Sequence, residues 1–135
     1  MSNLRTLVAG GAVAAALAIA AACGGSSSSP SSPTGSCTPS SNANTIVIQN
    51  NQVCPQALTV ARGSQVTMIN NDSQDHDMDS DPHPEHTDCV ELNQIGFLSR
   101  GQQRSSGNLN TARRCGFHDH GHPDNASLRG TITIQ

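Results

Sequence analysis

The sequence predicts an all-β fold, a small Greek-key β-sandwich preceded by an export signal and a disordered tether. Two observations carry this reading. Short runs rich in β-branched residues recur from residue 44 onward, with Gly, Asn and Asp turn signals between them, the pattern of a sandwich or small barrel. No stretch sustains the 3.6-residue period of an amphipathic helix. The first 43 residues differ in composition and divide into two further segments.

Residues 1–22 read as a signal peptide. Arg5 supplies the positive charge, and Leu7 to Ala22 is an apolar stretch short for a membrane span. It ends Ala20-Ala21-Ala22-Cys23-Gly24, which is similar to a bacterial lipobox, although Ala20 stands where Leu is usual. The resemblance implies that Cys23 becomes a lipidated N-terminus, holding the protein on a membrane face without spanning it. The expected location is therefore the cell envelope, periplasmic or outer surface. Residues 23–43 are mostly Ser, Pro and Gly. Such a segment cannot bury enough apolar surface to offset its ordering entropy, so it reads as a flexible tether.

The domain is expected over residues 44–135. Thr45-Ile46-Val47-Ile48 is the first strand run, and Ala57-Leu58-Thr59-Val60 the second. Arg62-Gly63-Ser64 reads as a turn, after which Gln65 to Ile69 alternates polar and apolar until Asn70-Asn71-Asp72 stops it. Ile95 to Leu98 and Gln103 to Ser106 are further strand candidates. Thr111 to Cys115 is expected to lead into a loop, and Ala126-Ser127-Leu128 to form one helical turn. Gly130 to Ile134 closes the chain with alternation.

Formal net charge is −3, with no Lys anywhere, so a nucleic-acid partner is not expected. Most of the acids lie between Asp72 and Glu91, and the only aromatic residues besides His are Phe97 and Phe117. A small domain with so little aromatic area gains from crosslinks or a metal.

Chemistry concentrates in two clusters. The later one, Cys115-Gly-Phe-His118-Asp-His120-Gly-His122, holds one thiol and three imidazoles. The earlier one runs from His76 through His83 and His86 to Cys89, with prolines flanking His83. Thiolate and imidazole are the donors that borderline and soft transition metals prefer. The carboxylates nearby can hydrogen-bond the second ring nitrogen of a ligating His and fix its tautomer.

Together these segments resemble the cupredoxin family, the small copper proteins such as plastocyanin and azurin. Pro55 with Leu58-Thr59-Val60-Ala61-Arg62-Gly63-Ser64-Gln65-Val66-Thr67 is similar to the family's early strand pair. Asn70-Asn71-Asp72 followed by His76 is similar to the approach to its first His ligand, and Cys115-x-x-His118 leading to Leu128-Arg129-Gly130-Thr131-Ile132-Thr133-Ile134 to its ligand loop and last strand. The resemblance implies one copper ion held by His76, Cys115 and His118, with His83, His86, His120 and His122 as secondary candidates. The axial position falls on Leu128, which cannot ligate, or on Met78. It also implies electron transfer or copper carriage, with a redox partner protein or a copper donor or acceptor.

Cysteine parity bears on that assignment. Beyond Cys23, four cysteines remain in an oxidising compartment. Cys37 and Cys54 flank the first strand, where a disulfide would clamp the tether onto the domain. Cys115 is then either a thiolate ligand or the disulfide partner of Cys89. In the second case an all-His site drawn from His76, His86 and His118 or His120 remains, suited to a non-redox copper- or zinc-binding module. A metal-free scaffold is the third reading. No nucleophile motif suggests an enzyme.

Overall fold

The computed structural model describes residues 36–135; the expected signal peptide, Cys23 and the first part of the tether lie outside them. The described residues form two facing sheets with no α-helix. Strands β1 (Thr45–Gln49), β2 (Gln52–Cys54), β4 (Thr67–Asn70) and β7 (Gln103–Ser105) make one sheet in the order β2-β1-β4-β7. Strands β3 (Ala57–Val60), β5 (His76–Ser80), β6 (Gly96–Leu98), β8 (Arg113–Asp119) and β9 (Arg129–Ile134) make the other, in the order β3-β9-β8-β5-β6. The all-β sandwich expected from the sequence is the observed fold. Single turns of 3-10 helix span Leu92–Gln94 and Ala126–Leu128.

The core lies between the sheets. Ile46, Ile48 and Met68 face Met78, Leu98, Phe117, Ile132 and Ile134 across it, all nearly or fully buried. Successive side chains of a strand point to opposite faces, and directly paired residues share a face. On β8 the inward set is therefore Cys115, Phe117 and Asp119, since Cys115 pairs with buried Ile132 and Asp119 with buried Met78. The outward set contains Gly116 and His118, and His118 pairs with Asp79 and with exposed Arg129.

The segments of β5 and of most of β8 are strands where the sequence reading assigned none. His76–Ser80 is β5, and its alternation is real: His76, Met78 and Ser80 are buried while Asp77 and Asp79 are only partly so. Its polar composition hid the period. Cys115-x-x-His118 lies inside β8 instead of a loop.

Two disulfides clamp the sandwich. Cys37 is joined to Cys54, bringing the end of the tether against β1, where Cys37 Sγ contacts the Val47 carbonyl. Cys89 is joined to Cys115, and both are fully buried. The second bond fastens the long β5–β6 connection to β8. That connection is tied down elsewhere too. Asp81 N donates to Gly116 O at 3.0 Å, Asp88 N to Asp81 O at 2.7 Å, and His86 N to Pro82 O at 2.7 Å. Asn93 accepts from Ser80 N through Oδ1 and donates to His86 O through Nδ2, both at 2.9 Å.

Candidate metal centre

The anchored connection folds back over the outer face of the five-stranded sheet. It sets His83 and His86 above His118, which projects outward from β8, and His120, which follows the strand's end. One nitrogen from each of these four rings lies within 4.8 Å of the others. Five of the six ring pairs have centroids 4.9 to 5.7 Å apart. His118 is buried beneath the connection, His86 is half-buried, and His83 and His120 are exposed.

Carboxylates orient the rings from behind. Asp81 Oδ1 is 2.7 Å from His118 Nδ1. This leaves His118 Nε2 buried and without a hydrogen-bond partner. A buried polar atom in that condition is costly unless something binds it. Asp79 Oδ2 lies 3.7 Å from His86 Nδ1. His86 Nε2 in turn is 3.2 Å from His120 Nδ1. Nitrogens about 2.0–2.1 Å from one ion stand about 3.3 Å apart at tetrahedral angles, so this pair already has the spacing of two ligands. Carboxylate-backed imidazoles are the usual outer partners of a bound transition ion. His86 adopts φ 51°, a left-handed conformation uncommon for a residue with a side chain and often found at functional sites. A cavity of about 550 Å³ opens beside the cluster, bordered by Asp81, His83, His118, Asp124 and Arg129.

The residues expected from the sequence thus divide. His83, His86, His118 and His120, three of them secondary candidates, come together. The expected trio of His76, Cys115 and His118 does not. Cys115 is bonded to Cys89 and has no thiolate to offer. His118 is three residues further along the same extended strand, so it points to the opposite face. His76 faces inward from β5 and meets Asp119, not His118. Leu128 and Met78 are both buried core residues outside the His cluster, so neither serves as an axial position to it.

His122 joins the inner group instead, with Nδ1 3.2 Å from Asp119 Oδ2. His76 Nδ1 is 2.7 Å from the same oxygen, and its Nε2 lies 3.4 Å from Asp72 Oδ2. Burial acts to raise the Asp119 pKa. Hydrogen bonds from His76, His122 and the backbone of Asp77 and Gly121 outweigh it and hold the carboxyl down to about 2. Burial acts to lower the His76 pKa, but Asp119 and Asp72 outweigh it and raise the value above the ordinary 6.5. Asp72 is held low despite burial by the backbone amides of Asn51 and Ser73 and by His76. Sequence reasoning missed Asp81 and Asp119 as site residues. Both lie at alternating positions of strand-like segments, a signal that was available.

No protein-family model matches the sequence, and a search of curated proteins found no match. Solved structures are similar in fold. A purple cupredoxin from Nitrosopumilus maritimus is 20% identical, with a TM-score of 0.55 over 70% of this chain and 100% of its own. Plastocyanin from Dryopteris crassirhizoma is 20% identical, with a TM-score of 0.53 over 67% and 99%. Amicyanin from Paracoccus versutus is 15% identical, with a TM-score of 0.54 over 72% and 85%. A copper-containing nitrite reductase from Thermus scotoductus is also similar, at a TM-score of 0.52, but only over 24% of its chain. The described residues form a cupredoxin-like sandwich.

Proposed function

We propose that this cupredoxin-like chain is a copper-binding module that holds one ion through His83, His86, His118 and His120, and that its work is carriage or storage of the metal in the cell envelope. The observation that supports this reading is the convergence of four imidazole nitrogens within 4.8 Å, at a point where the nearest cysteines are consumed in a disulfide. A set of neutral imidazoles without sulfur suits copper(II) and zinc better than copper(I). A site that does not accommodate both copper oxidation states is poorly matched to rapid electron shuttling.

The exposure of His83 and His120 fits a carrier. A partner protein can reach the ion from that side and exchange it, while buried His118 with its Asp81 brace keeps the site formed. Lipidation at Cys23 would keep the module on a membrane face, and the residues 23–43 would give it reach.

The test is a copper(II) titration of the full-length chain, with metal counted by elemental analysis, beside the double variant H86A/H120A. We expect one equivalent to be lost in the variant and the bound copper to show no intense visible charge-transfer band. Undiminished copper binding in H86A/H120A would remove the proposal. Stronger retention of zinc than copper in competition would reassign the ion.

A further inference from the structure

We infer that the cavity beside the imidazole cluster is a binding site for a small α-amino carboxylate, a chelator that brings copper(II) to the four rings or draws it away. The inference rests on the copper-binding reading and names the small ligand of that same site.

The cavity and the cluster share two residues. His83 and His118 belong to both, so an ion held by the four rings borders the open space. That space is about 550 Å³, within the roughly 300–1,000 Å³ of small-ligand pockets. Pro82 and Pro123 also line it, and their fixed φ stiffens its rim.

The cavity carries charges of both signs. Arg129 stands directly opposite His118 where β9 pairs with β8, and residues opposed in this way share a face of the sheet. Its guanidinium lies 3.6 Å from Asp81 Oδ2, and its side chain is 49% exposed. A guanidinium has five N–H donors, so this one loose contact leaves others to face the cavity. Asp81 is occupied on its other side by His118 Nδ1, at 2.7 Å. Asp124, an exposed residue of the turn after His122, adds a second carboxylate to the wall.

An α-amino carboxylate matches this set. It chelates copper(II) through its amine nitrogen and one carboxylate oxygen, donors that suit the ion. The bound amine keeps two N–H bonds for Asp124 to accept, and the carboxylate keeps lone pairs for Arg129. A simple anion would meet Asp124 without a donor to offer it, and a simple amine would meet Arg129 without an acceptor. Exposed His83 borders the cavity and is the ring that an incoming chelate displaces, while buried His118 keeps its hold. Only metal–ligand bonds change. Copper stays copper(II), and the ammonium proton of the free zwitterion goes to solvent as the nitrogen binds.

The experiment titrates glycine into the full-length chain carrying one counted equivalent of copper(II), followed by electron paramagnetic resonance. We expect a saturable ternary spectrum, distinct from those of the protein-bound ion and of copper glycinate. Arg129→Gln, normalised to its own bound copper, should raise the glycine midpoint by about 10-fold. It should leave unmoved the midpoint for ethylenediamine, a chelator with no carboxylate. Asp124→Ala should raise both midpoints, since both ligands present N–H donors. The inference is overturned if glycine strips the copper with no ternary spectrum, or if Arg129→Gln shifts glycine and ethylenediamine alike. Copper bound at one equivalent with no response to glycine would refute this site and leave the proposed function standing. A chain that binds no copper would remove both.

Discussion

Asp81 and His118 meet on the outer face of the five-stranded sheet, with carboxylate Oδ1 2.7 Å from imidazole Nδ1. The contact turns Nε2 toward His83 and His86 and fixes which nitrogen is free to bind. Removing the carboxylate's charge while keeping its shape should loosen the ring without emptying the site. Asp81→Asn is expected to weaken copper(II) affinity by about 10- to 100-fold at unchanged stoichiometry, as read by competition with a chelator.

Gly116 lies next to that brace on β8. A Cβ built there collides with the Asp81 carboxylate. Gly116→Ala should therefore displace Asp81 from His118 and lower copper affinity much as Asp81→Asn does. The two changes act through one contact, so combining them should cost clearly less than the sum of the single effects. A double-variant cycle measures this, and full additivity would contradict it.

The Cys89–Cys115 bond closes a 26-residue separation between the His83–His86 connection and β8. In the double variant C89S/C115S, stability to denaturant should fall by about 3 kcal/mol. Copper stoichiometry should persist, since no thiolate contributes a ligand. Loss of the copper equivalent with the fold intact would show that sulfur, not imidazole, holds the ion.

His76 and Asp119 give the metal-free protein a pH signature. The Asp119 pKa is held down to about 2, so its contribution is present above the ordinary 3.8 and lost as pH falls through the folded value. The His76 pKa is raised above 6.5, so its contribution is present below 6.5 and lost as pH rises through the folded value. The pair is thus worth most between about pH 4 and pH 6.5, on the order of 2 kcal/mol for the carboxyl alone. Asp119→Asn should be most destabilising in that window, with its denaturation midpoint approaching the wild type's toward about pH 2 and the difference only partly reduced in alkali, where the His76 contribution is lost but the carboxylate keeps its backbone hydrogen bonds. A difference constant with pH would contradict the assignment.

The strands with clean β-branched alternation, Thr45–Gln49, Ala57–Val60 and Arg129–Ile134, were legible in the sequence because their composition and period agree. His76–Ser80 was not, since its buried positions are His, Met and Ser. Its period of two was present, but hydropathy did not mark it. The same blindness governed the site. Every His of the outer cluster was named in advance. The grouping was wrong because Cys115 and His118 were placed on a loop, where positions three apart can share an ion. On a strand they cannot. Asp119 sits between His118 and His120 in sequence, but the strand's parity turns it inward, where it bonds His76 and His122 instead of the outer cluster.

The central claim is that one ion sits among the four imidazoles on the outer face. X-ray absorption of the full-length chain carrying a single equivalent of copper(II) tests it most directly. The account predicts a first shell of nitrogen at about 2.0 Å with imidazole scattering from several rings and no sulfur, lost in H86A/H120A. A short copper–sulfur distance, or an unchanged spectrum in that variant, would contradict it.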